Sequence, residues 1–150
     1  MQILRAAALG AATGARSTLG LTALALTIPR RSIRNTGWIH GPWPGRIAVL
    51  ACAGELVGDK LPATPSRLES APRVARIALG GLSGGLLAHR ETRSGMHTAL
   101  GVIAGVTGAA AGTHLGASWR IRAAQRIGGD LPGAVVEDAA AIALARLGVG

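Results

Sequence analysis

Apolar residues fall into five long runs, separated by short joints rich in proline, arginine or tryptophan. The first spans residues 3–28 and ends at Pro29, ahead of the basic stretch Arg30-Arg31-Ser32-Ile33-Arg34. A joint containing Trp38, Pro42, Trp43 and Pro44 leads into the second run, residues 46–60, which stops before Pro62. The third covers residues 73–88 and the fourth residues 96–119. Asp130 caps a fifth predicted helix that has Pro132 in its first turn and reaches about Leu147. The pattern predicts an all-α chain in one domain, residues 1–150.

The fourth run carries the most regular signal. Gly101, Gly105, Gly108, Gly112 and Gly116 fall at helical spacing, so one face of that helix is a ridge on which a neighbouring backbone can lie close. Gly10-Ala11-Ala12-Thr13-Gly14 in the first run resembles Gly108-Ala109-Ala110-Ala111-Gly112 in the fourth, and each is followed by an acid-bearing helix. This predicts two halves, residues 5–67 and 97–148, joined by a linker helix over 73–89. An odd number of spans between the halves would invert one relative to the other, an arrangement found in secondary transporters.

Composition makes the runs read as membrane spans. Hydrophobic residues are 49% of the chain and charged ones 15%, while aromatics are 2%, so bulk comes from Leu, Ile and Val beside 23 glycines. Mean hydropathy is +0.37. Small residues at close contacts suit helices packed in lipid. The expected architecture is therefore a multi-pass transmembrane bundle of about five helices in an inner membrane. Five short helices make a thin wall, so a homo-oligomer is expected too. Arg16 interrupts the N-terminal run and argues against a cleaved signal peptide.

The net charge of +9 is almost all arginine. Its placement between apolar runs argues against nucleic-acid binding and for anchoring at anionic headgroups. Basic residues, Lys60 among them, divide evenly between the two sides, which leaves orientation open. Cys52, the single cysteine, excludes an internal disulfide. His89, His97 and His114 lack partners at metal-binding spacing, and no motif names a metal, a cofactor or a catalytic nucleophile.

Chemistry is expected where charge falls inside apolar runs. Glu55 and Asp59 lie four apart and share one helical face. Arg16 sits midway along the first run, and Glu137 and Asp138 lie in the fifth. Each such group costs about 2.5–3.5 kcal/mol at mid-bilayer, so they should turn inward and meet. The predicted buried polar site is Arg16, Ser17, Glu55, Asp59, Lys60, Glu137 and Asp138. Acids outnumber bases there, which points to a held proton or a cation. Thr64, Ser66, Arg67 and Arg76 form an alternative set for a headgroup or phosphate.

The block Glu55-Leu56-Val57-Gly58-Asp59-Lys60-Leu61-Pro62-Ala63-Thr64-Pro65-Ser66-Arg67, with Gly14-Ala15-Arg16-Ser17, Ala75-Arg76-Ile77 and Val136-Glu137-Asp138-Ala139, resembles a family of small bacterial integral-membrane proteins. That family is catalogued as domain of unknown function 4126, and the likeness runs from about residue 5 to 147. The resemblance implies a multi-pass helical protein and no established activity. On the residues, the leading expectation is a small cation- or proton-linked transporter or channel. The alternatives are an intramembrane enzyme acting on a lipid or polyprenyl phosphate, and a membrane scaffold or accessory subunit.

Overall fold

The computed structural model describes residues 1–27, 43–58, 70–127 and 130–150. They form six helices and, among the described residues, no strand: α1 (Gln2–Ala15), α2 (Leu19–Leu26), α3 (Trp43–Gly58), α4 (Ser70–Thr92), α5 (Gly95–Ile127) and α6 (Asp130–Val149). All-α character follows from the composition, which is rich in Ala and Leu.

The first apolar run is two helices. Arg16 takes an extended conformation (φ −139°, ψ 111°) and ends α1, and α2 starts three residues later. The chain reverses there. A Cβ on Gly20 would lie 3.0 Å from the Leu9 carbonyl, and Leu24 packs with Ala6 and Leu9. α2 thus runs back along α1 as the second arm of a helical hairpin.

α1, α4 and α5 form the centre, and their glycines set the spacing. Gly80 and Gly84 of α4 face Gly105 and Gly101 of α5 in antiparallel order, and a Cβ on Gly84 would sit 3.0 Å from the Gly105 Cα. Gly10 and Gly14 of α1 face Gly105 and Ala109, while Gly108 and Gly112 face Ala7 and Ala11. In this pairing both numbers rise together, so α1 and α5 are parallel. The two similar glycine pentapeptides are the two surfaces of one helix–helix contact, each making room for the other's backbone.

α6 lies antiparallel to α1, with Gly148 against Leu9 and Asp138 against Arg16. Two apolar clusters fill the interior. Ala6, Leu9, Leu24, Leu87 and Ala104 form one, and Ala12, Ala15, Leu19, Cys52, Ala141 and Ala145 the other. Alanine dominates the second, where close backbones leave little room for larger side chains, while leucine fills more of the first.

These observations correct the predicted architecture. One helix among the described residues, over Gly95–Arg126, is long and apolar enough to cross a membrane. The first run folds back on itself with arms of 14 and 8 residues, and α3 has 16, whereas a span needs about 20. α1 and α5, which open the two proposed halves, run parallel where inverted copies would oppose each other. The described residues form a six-helix bundle packed on itself, not a multi-pass transmembrane bundle of five. The bilayer as partner, the inner-membrane placement, the homo-oligomer invoked to thicken a thin wall, transport, and the two membrane-based alternatives all rested on five spans and are corrected with them. The composition misleads because glycine and alanine ridges serve any helices packed backbone to backbone, in lipid or out of it.

Candidate functional site

Two features meet near the α1–α2 reversal: a buried polar cluster and an apolar groove.

The cluster begins with backbone geometry. Because Arg16 leaves the helix, the Ser17 and Thr18 amides have no helical carbonyl to meet, and buried amides need an acceptor. Glu55 on α3 supplies it. Its Oε1 accepts from the Ser17 N–H at 2.6 Å, and its Oε2 accepts from the Thr18 N–H at 3.0 Å and the Thr18 hydroxyl at 2.9 Å. A carboxylate at the first turn of α2 also offsets the helix dipole. The arginine that breaks the helix turns toward α6, where Asp138 Oδ1 accepts from its Nε at 2.6 Å and also from its Nη2. Arg16 is 1% exposed, so this is a desolvated pair.

Arg76 of α4 closes the ring. Its Nε donates to the Ser17 hydroxyl at 3.1 Å, and its Nη2 lies 3.9 Å from Glu55 Oε1. Thr113 of α5 donates its hydroxyl to the Gly14 and Ala109 carbonyls, which ties the end of α1 to α5. α3, α4 and α6 thus converge on residues 16–18, and α5 holds the end of α1 beside them.

The structure brings Arg16, Ser17, Glu55 and Asp138 together, and adds Arg76 from the alternative headgroup set. Glu137 is buried at 6% exposure and lies in the wall of the groove. Asp59, Lys60, Thr64, Ser66 and Arg67 lie outside the described residues. The expected excess of acid changes once Arg76 is counted, since two buried arginines now stand among the three carboxylates. Thr18 escaped sequence reasoning. No local signal marked it: Thr18 stands at the N-cap of α2 without a side-chain cap hydrogen bond, and its hydroxyl donates to Glu55 on α3 instead. Among the described residues no group of His, Cys, Asp and Glu could hold a metal ion.

Cys52 packs beside this cluster. Burial pushes its thiol above the ordinary cysteine range; a Thr18 hydrogen bond and the Arg16 charge work against this, and the Glu55 and Asp138 charges add to it. The folded protein therefore holds the thiol proton to higher pH than the unfolded chain does. This stabilisation is complete below the unfolded pKa and is lost as pH rises through the folded one. Alkylation at pH 8 should be far slower in the native protein than in urea, and the urea midpoint should fall above about pH 9.

The groove lies between α1, α5 and α6 and encloses about 530 Å³. Its floor includes Ala11, Ala15, Gly112, Gly116 and Ala141. Leu115, Trp119 and Val136 rise at its edges, 70%, 41% and 53% exposed. Polar groups are few: Ser118, Arg122 and Glu137. Small residues on three helix faces leave this hollow, and its floor is the close contact of α1 and α5 at Ala11 and Gly112. The volume falls in the range of small-molecule sites, about 300–1,000 Å³.

Comparison with protein-family models, with curated proteins and with solved structures finds nothing that matches this chain.

Proposed function

We propose that this protein is a helical binding module that takes a small, largely apolar molecule into the α1–α5–α6 groove, with the polar cluster as the clamp that holds the groove's walls. One observation carries the reading: a hollow of about 530 Å³ lined by alanine, glycine, leucine and tryptophan, with few polar groups. Apolar pockets with a few placed polar groups are the usual form of ligand sites. The cluster supports a positioning role. Asp138 is engaged by Arg16, and both oxygens of Glu55 are engaged by the turn. Carboxylates held in this way tie helices together and are poor general bases.

The neutral dye N-phenyl-1-naphthylamine tests the proposal. Its fluorescence should rise on binding, saturably and at one molecule per chain. Ala140→Phe places a ring in the groove from an exposed position, so it should abolish that binding while leaving helical circular dichroism unchanged. Equal dye uptake by wild type and Ala140→Phe would place the dye on other apolar surfaces and overturn the assignment.

A further inference from the structure

Resting on that reading of the groove, we propose that the ligand it selects has a planar aromatic body and an anionic group, with the ring laid on Trp119 and the charge at Arg122. Trp119 is fixed by its polar edge. Its Nε1–H donates to the Gly133 carbonyl at 3.0 Å, across the α5–α6 junction. Gly133 packs so closely on α5 that a Cβ there would lie 2.6 Å from the Ala123 Cβ. The hydrogen-bonding capacity of the indole is thus used on the protein, and its orientation is set before any ligand arrives. The ring is still 41% exposed and lines the groove. A held, half-open indole is a stacking platform, and ring pairs gain beyond simple area burial.

Arg122 stands three residues further along the same helix, so it neighbours Trp119 on one face. It is exposed, lines the groove, and makes no hydrogen bond or ion pair among the described residues. The guanidinium is a planar fork suited to carboxylate, sulfonate or phosphate oxygens. Glu137, deep in the same groove, sets the polarity along it. An anion is disfavoured near Glu137 and favoured at the Arg122 end, so the apolar ring takes the inner position. The chain's net charge of +9 draws anions over longer range. Lining residues on α5 run from Ala111 to Arg122, about 16 Å of helix, which is room for two or three fused or linked rings.

The test uses two probes that share one ring system. 1-Anilinonaphthalene-8-sulfonate carries the anion, and N-phenyl-1-naphthylamine lacks it. The anionic probe should bind wild type about tenfold more tightly, and that advantage should shrink with added salt. Arg122→Gln should remove the advantage, because the anionic probe loses about tenfold in affinity and the neutral probe far less. Trp119→Leu should weaken both probes about fivefold, while Trp119→Phe, which keeps a ring and loses the N–H, should retain most of the binding. Equal affinity of wild type for the two probes, or an advantage that survives Arg122→Gln, overturns this proposal. If the neutral probe still binds one to one in that case, the groove remains a binding site. If neither probe binds, both readings fail.

Discussion

Asp138→Ala should lower stability by about 3–5 kcal/mol, as read from urea unfolding, because it takes a carboxylate away from a buried arginine. Arg16 is 1% exposed and its guanidinium donates twice to Asp138. A surface ion pair would contribute about 0–1 kcal/mol, so the size of the loss separates the two situations. Asp138→Asn, which keeps an oxygen acceptor without the charge, should fall in between. The double replacement Arg16→Met with Asp138→Leu should recover much of the loss, since paired buried charges can often be exchanged for packed apolar groups. A loss under about 1 kcal/mol for Asp138→Ala would show that Arg16 reaches water, and the cluster would no longer serve as a clamp. Because Glu137 neighbours Asp138 and lines the groove, dye binding should weaken in step with the loss of stability.

Gly105→Val should be as damaging, for a steric reason. Gly105 lies where α1, α4 and α5 meet. A Cβ on it would collide with the Gly80 carbonyl, come within 2.9 Å of the Gly80 carbonyl carbon and 3.2 Å of the Gly81 Cα. A Cβ on Gly10 would collide in turn with the Gly105 carbonyl. Every neighbour in the way is backbone, so no rotamer change relieves the clash and the helices must separate. Overpacking commonly costs about 1–3 kcal/mol, and this site should exceed the upper figure. For a chain of this size, 3 kcal/mol is roughly 6–12 °C in Tm. Gly54→Ala is the control. It lies in α3 with nothing within 4 Å of its added Cβ, so it should stabilise by roughly 0.4–1 kcal/mol through helix propensity and reduced unfolded-state freedom. If Gly105→Val and Gly54→Ala shift Tm alike, the close helix contact is wrong.

The helical character of the chain could be read from its residues. Glycine recurring every three or four positions along the fourth run announces a face pressed against another backbone, and Gly105 and Gly108 meet α4 and α1 there. Charges inside apolar runs announce partners, and Arg16, Glu55 and Asp138 have them. Such signals are local and periodic, so they survive in one dimension. The environment of the helices was not legible in the same way. An apolar run counts residues along the chain and contains nothing about which of its faces another helix covers.

The turn at Arg16 shows where the boundary lies. Residues 3–28 carry no proline or paired glycine at that point, and local preference alone would continue the helix. The reversal holds because Glu55, from α3, reaches the Ser17 and Thr18 amides and Asp138, from α6, reaches Arg16. The partners come from 37 to 122 residues away, so their effect exists only once the helices have assembled. The groove has the same origin. Ala15, Trp119 and Ala141 are unremarkable in their own segments, and they become one surface when three helix faces pack side by side. Element type follows from short-range backbone and side-chain preferences written in order along the chain, whereas a broken helix or a shared hollow is a relation between distant segments and is settled by their contact.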